Sequence, residues 1–186
     1  MNKTPHTTLP AAATKSQPAV DPPSSPSGLA ATLSQQHPLP SSSLPSLPSP
    51  VALSAVRLSP NFTLGEFLNL PKYPENVPTP QVIANLVFGC HLLLEPARKV
   101  VGPILVNSGF RCEQVNRKVG GVVRSQHLLG QAADIRPSDP SQFLRLVDFL
   151  RHHPLTDQLL TGTNWLHVSW NPFATARHDI RIGFYR

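Results

Sequence analysis

Proline constrains this chain more than any other residue, and it is unevenly spread: 12 of the 22 prolines fall within the first 60 residues. Each one fixes φ and removes a backbone donor, so a segment this rich in proline sustains neither a helix nor a strand ladder. The stretch "PPSSPSGLAATLSQQHPLPSSSLPSLPSP" adds serine and alanine, with few charges and no sustained apolar period. It cannot bury enough surface to offset the entropy of ordering. Residues 1–57 are therefore expected to be a disordered or polyproline-like tail, and residues 58–186 one domain with a modest core.

Past residue 58 the chain is punctuated by helix and turn signals. In "NFTLGEFLNL", Thr63 and Glu66 form a capping box before a short helix. In "VPTPQVIANLVFGCHLLLEPARKVVG", Thr79 caps a long helix with Pro80 at its first position, Pro96 should kink it, and Gly102 should end it. "PILVNSGFR" reads as a buried strand leaving through a Ser-Gly turn. "EQVNRKVGG" reads as a short helix, and "AADIRP" as a second strand. "SDPSQFLRLVDFLRHHP" reads as a helix with an apolar face of Phe143, Leu144, Leu146, Val147 and Leu150. "DQLL", "WLHVSW" and "IRIGFY" read as short strands, the first two forming a hairpin across "TGTN". The expected class is α+β: a small antiparallel sheet with helices mainly on one side.

Cys90 falls on an apolar helical face and reads as a core residue, while Cys112 follows Arg111; two cysteines make no disulfide framework. The start, "MNKTPHTTLPAAATKSQP", has no apolar run of the secretory kind, and no later segment approaches membrane-spanning length. The expectation is a monomeric protein made in a cytoplasm without a signal peptide. Arg111, Arg117, Lys118, Arg124 and Arg136 make a basic rim, read either as a solvated face or as a seat for an anionic partner. Without interleaved aromatic residues it does not argue for nucleic acid.

Among eight histidines, two stand where a site could be built. His127 lies in "SQHLLGQAADI", seven positions before Asp134, with Gly130, Ala132 and Ala133 letting that loop fold back. Alternation in "WLHVSW" puts Trp165, His167 and Ser169 on one face and Leu166, Val168 and Trp170 on the other. Alone, His167 reads first as a satisfied core histidine. Together, His127, Asp134 and His167 are two imidazoles and a carboxylate, the ligand count of an open catalytic zinc site.

The run "VNSGFRCEQVNRKVGGVVRSQHLLGQAADIRP", followed by "DQLL" and "WLHVSW", resembles the zinc D-alanyl-D-alanine carboxypeptidase family. That family includes D,D-dipeptidases and phage peptidase endolysins. Its S-x-H-x-x-G-x-A-x-D signature is matched by Ser125, His127, Gly130, Ala132 and Asp134, and its late W-x-H by Trp165 and His167. The resemblance covers about residues 60–175. It implies a Hedgehog/D,D-peptidase-like fold, one Zn2+ per chain held by His127, Asp134 and His167, and a peptidoglycan peptide as substrate. It further implies a bacterial or phage-encoded protein acting on the cell envelope. Arg111, in "SGFR", maps onto the family's "SGYR" arginine, which holds or polarises the substrate; its alternative is a structural salt bridge. Ser125 supports the site by hydrogen bonding or simply forms the turn.

One position departs from the family pattern. The general base usually stands three residues before the last histidine ligand, and here that position is Asn164, whose amide accepts no proton. Asp157 is the nearest carboxylate in sequence, and on this reading it serves as base if the hairpin register allows, with Gln158 and Asn164 contacting substrate. Glu66 and Glu113 are the other candidates. The departure leaves open a catalytically weak or inactive cell-wall-binding module, and the Pro/Ser-rich tail permits a structural virion-associated protein.

Overall fold

The computed structural model describes residues 50–183, so the expected tail up to residue 49 lies outside the described residues, as do Phe184, Tyr185 and Arg186. Residues 50–57 fall within the stretch assigned to the tail, yet they carry a short helix, α1 (Pro50–Ser54), whose Leu53 packs against the core. Behind it, the Leu64 amide donates to the Val56 carbonyl at 2.8 Å, and Arg57 bridges to Thr63.

Helix α2 (Leu64–Leu68) begins as its capping box dictates, with Glu66 accepting from the Thr63 amide and hydroxyl. Helix α3 (Pro80–Gly89) starts at Thr79, whose hydroxyl accepts from the Val82 amide. The effect of Pro96 appears one turn upstream of it. Proline has no N–H to give and its ring crowds the carbonyl four residues back, so Cys90–Leu94 loosens into a π turn. There the Glu95 amide reaches the Cys90 carbonyl, and α4 (Glu95–Val101) restarts beyond. Gly89 lies under the Trp170 ring: a Cβ there would stand 2.1 Å from the indole. That indole is wholly buried and donates to the Asn85 carbonyl at 2.9 Å.

Five strands follow: β1 (Ile104–Ser108), β2 (Ala132–Pro137), β3 (Gln158–Thr161), β4 (Leu166–Ser169) and β5 (Asp179–Arg181), with α5 (Glu113–Lys118) and α6 (Phe143–His152) between them. The sheet order is β1-β2-β4-β3-β5. The expected antiparallel pairing holds for the first four strands, and β5 differs by running parallel to β3. The chain crosses from β4 over the edge of the hairpin before entering β5, which sets that direction. The fold is α+β, as the order of elements implied. Ala133, Ile135, Leu159, Leu166 and Val168 fill the covered face and join one core with α3, α4 and α6. Within α6, Leu146, Val147 and Leu150 are buried, but Leu144 is 78% exposed, because it lies about 100° from that stripe. Cys90 is buried, and burial pushes its thiol pKa far up. No helix among the described residues is long and apolar enough to cross a membrane.

Candidate metal centre

Strand register makes the site. Asp134 on β2 stands directly opposite His167 on β4, so both side chains leave the same face of the sheet, away from the core residues that alternate with them. His127 arrives from a 3-10 turn, Gln126–Leu129, that runs into β2. Gly130 closes that turn at φ +66°, where a Cβ would meet the Val82 carbonyl at 2.7 Å. The small residue in the His127–Asp134 spacer is thus required by backbone hand and by space together.

The donor atoms converge. His127 Nε2 lies 3.2 Å from His167 Nδ1 and 3.3 Å from Asp134 Oδ1, and His167 Nδ1 lies 2.9 Å from the same oxygen. His127 Nδ1 faces the Gly109 carbonyl at 2.5 Å. A carbonyl only accepts, so the hydrogen of that imidazole sits on Nδ1 and Nε2 presents a lone pair. Burial, the largest influence, holds the His127 pKa below its ordinary value and keeps the ring neutral, although the Asp134 charge pulls the other way. Burial also opposes ionisation of Asp134, but the two imidazoles beside it outweigh that and hold the carboxyl well below the usual range. At most one hydrogen, on His167 Nδ1, therefore sits among three lone-pair atoms. A tetrahedral ion with bonds of about 2.0–2.1 Å needs neighbouring ligand atoms roughly 3.3 Å apart. The observed triangle fits such an ion, and a divalent cation satisfies all three donors where one proton cannot.

Surrounding bonds fix the triangle. The Arg111 amide donates to the His127 carbonyl at 3.1 Å, while His127 Nδ1 bonds Gly109, so the "SGFR" loop and the histidine turn hold each other. Asn76, buried, clamps that loop from below. Its amide donates to the Leu68 and Phe110 carbonyls, and its Oδ1 accepts from the Cys112 amide. Arg111 reaches Asp134 Oδ2 at 2.6 Å and the Ser108 hydroxyl at 2.9 Å. A carboxylate oriented by a second partner in this way is typical support for a metal ligand.

The triangle opens into a cleft of about 700 Å³ lined by the three ligand candidates and by Arg111, Arg124, Ser125, Gln126, Asp157, Gln158, Trp165 and Arg177, among others. Ser125 and Gln158 both line this cleft. The Ser125 hydroxyl makes no hydrogen bond within the described residues, and Gln158 donates to Asp179 at 2.6 Å. Asn164 does not reach the cleft: it sits on the turn before β4, in a separate hollow with Arg136, Pro140 and Phe143. Glu66 is held in its capping box, and Glu113 is exposed beside Arg117.

Asp157 lines the cleft but is committed elsewhere. Its carboxylate accepts from the Arg177 amide (2.8 Å), from Arg177 Nε (2.9 Å) and Nη2 (2.5 Å), and from Gln126 Nε2 (3.0 Å). Burial raises its pKa, but those donors more than reverse the effect and leave it below the ordinary value. A carboxylate so engaged is a weak proton acceptor, so the role of base assigned to it from sequence is not retained. Arg177 and Gln126, which also bond each other at 2.9 Å, were not singled out in the sequence. Gln126 adjoins His127, and that adjacency is the only sequence signal either residue offers.

Comparison with known proteins agrees with this geometry. Residues 83–169 match the family described as peptidase M15. The zinc D-Ala-D-Ala carboxypeptidase of Streptomyces albus G is 38% identical over 71 residues, which is 37% of this chain and 28% of that relative. The match thus spans little more than a quarter of the relative's length.

Proposed function

The folded part of this chain is of the peptidase M15 family, and from that premise we propose that it is a zinc-dependent peptidase acting on peptidoglycan stem peptides. The observation that carries the reading is the donor triangle of His127 Nε2, Asp134 Oδ1 and His167 Nδ1, with sides of 2.9–3.3 Å, at the floor of an open cleft. When bound there, zinc supplies a Lewis acid that polarises a carbonyl and acidifies a water. The chain's own residues do the rest. Asp134 is oriented by Arg111, which also offers a guanidinium edge to a peptide carboxylate or carbonyl. Ser125 presents an uncommitted hydroxyl, and Trp165 walls one side.

Terminal D-alanine removal and endopeptidase cleavage of the phage-endolysin type both suit this site, and the released product separates them: free D-alanine in the first, a severed cross-link in the second. A second reading, a cell-wall-binding module with weak or no catalysis, is favoured by the engagement of Asp157 with Arg177 and Gln126. The test is incubation of zinc-loaded protein with a D-Ala-D-Ala peptide and with peptidoglycan. New amine groups, abolished in His127→Ala together with bound zinc, support the peptidase. Binding without release supports the module.

A further inference from the structure

Three arginines line the cleft, and they are not equivalent. Arg111 is paired with Asp134, and Arg177 with Asp157. Arg124 is exposed, and among the described residues no acid, carbonyl or hydroxyl takes its guanidinium. The loop that carries it is nonetheless well braced. The Gly120 amide donates to the Arg117 carbonyl, the Gly121 amide to the Asn116 carbonyl, and the Ser125 amide to the Val122 carbonyl, at 3.2, 2.9 and 3.1 Å. Asn116 Nδ2 reaches the Val122 carbonyl at 3.0 Å. Gly121 is in close contact with the Asn116 side chain, where a Cβ would fall 2.1 Å from Oδ1. A braced loop ending three residues before His127 thus holds an uncommitted cation at the cleft wall. Beside it, Val122 and Val123 are 71% and 90% exposed. An unpaired guanidinium on a braced loop, with apolar neighbours, is suited to a carboxylate on an otherwise apolar chain.

We propose that Arg124 is a specificity-determining residue that reads a second carboxylate of the peptide, upstream of the scissile bond and separate from any group held by Arg111. This deepens, and rests on, the reading of the cleft as a peptide site. Because Arg124 is exposed, the gain is that of a solvent-screened pair, about two- to fivefold in affinity, and it shrinks as salt rises.

The experiment uses the full zinc-loaded chain and acetylated pentapeptides ending in D-Ala-D-Ala, each made with glutamate or with glutamine at its first, second or third position. The preference is read from kcat/KM where the peptide is cleaved and from Kd where it is not. One glutamate peptide should be preferred about two- to fivefold over its glutamine twin at low salt. Arg124→Gln should bring that ratio to about one, and Arg124→Lys should keep most of it. A general loss of structure lowers both twins together and does not move the ratio. No preference at any position, no binding of any peptide, or a preference that survives Arg124→Gln overturns the assignment. The peptidase reading is judged separately: a preference in Kd without amine release defeats that reading alone, and equal release from all twins defeats the assignment of Arg124 alone.

Discussion

The most informative perturbation is removal of the Arg177 side chain, because Asp157 depends on it. Asp157 is 1% exposed, and the Arg177 side chain gives it two charge-assisted bonds, from Nε and Nη2. Breaking a fully buried pair by deleting one partner costs about 3–5 kcal/mol, since a charge is left uncompensated. Here the penalty is smaller, because the Arg177 side chain is 56% exposed and water can replace part of it. The Arg177 amide and Gln126 Nε2 also remain as donors. Arg177→Ala should therefore cost about 2 kcal/mol, which for a domain of this size is roughly 7 °C in melting temperature.

Asp157→Asn should cost a similar amount, because its amide group then faces the guanidinium. The double variant should cost clearly less than the two together, with a coupling of about 1–2 kcal/mol. Urea unfolding of the zinc-loaded proteins measures all three. Additive costs, or a cost below about 0.5 kcal/mol for Arg177→Ala, would refute the clamp. Activity adds a second comparison. If Asp157 were the general base, Asp157→Asn alone would lose about 10²–10⁴ in kcat. The clamp predicts instead that both single variants lower kcat/KM by a similar, smaller factor, through the shift of Gln126 beside His127.

Three further outcomes follow from the packing and charge. Gly89→Ala drives a methyl into the Trp170 ring and should cost about 1–3 kcal/mol in chemical denaturation, with part of it restored by Trp170→Leu in the same chain. Asp157 and Glu95, the latter bonded by the Ser59 hydroxyl and by the Asn61 amide and side chain, both have folded pKa values below their ordinary ones despite burial. The unfolded chain takes up their protons more readily, so their contribution is present above about pH 4 and is lost as pH falls further. Melting temperature should drop between pH 5 and 3, and the drop should flatten in Asp157→Asn and Glu95→Gln. Deleting residues 1–49 should leave thermal unfolding unchanged, whereas deleting 1–57 should lower its midpoint, because the Val56 carbonyl and the Arg57–Thr63 bridge are lost.

Much of this molecule was legible because local chemistry and global fold agree in it. Thr79 and Pro80, ahead of an apolar helical period, signal a helix start, and the alternation of "WLHVSW" turns His167 to the face away from Leu166 and Val168. The candidate ligands were legible through the resemblance, because the S-x-H-x-x-G-x-A-x-D signature and the late W-x-H single out His127, Asp134 and His167, whereas their spacing alone does not. What supports them was not legible, because the support is made of ordinary donors brought in from far along the chain. Asn76 and Arg177 are a loop asparagine and a turn arginine, and nothing within ten residues of either distinguishes it. The direction of β5 escaped for the same reason, since three residues, Asp179–Arg181, pair either way and a crossover decides.

The misplacement of Asn164 shows where spacing from a histidine stops carrying information. An offset of three residues is meaningful within a strand, where it fixes a face. Here the strand begins only at Leu166, and Asn164 belongs to the turn before it, whose course is set by the β3–β4 register. The same register sends Leu160 to the face of His167 and leaves Asp157, just before β3, to meet β5 and Arg177 instead. A carboxylate at that edge, with an arginine on the adjoining strand's approach, becomes an ion pair before it can become a base. What the pair supplies to the cleft is the placement of Gln126 beside His127, and its strength is the quantity that the double variant of Asp157 and Arg177 measures.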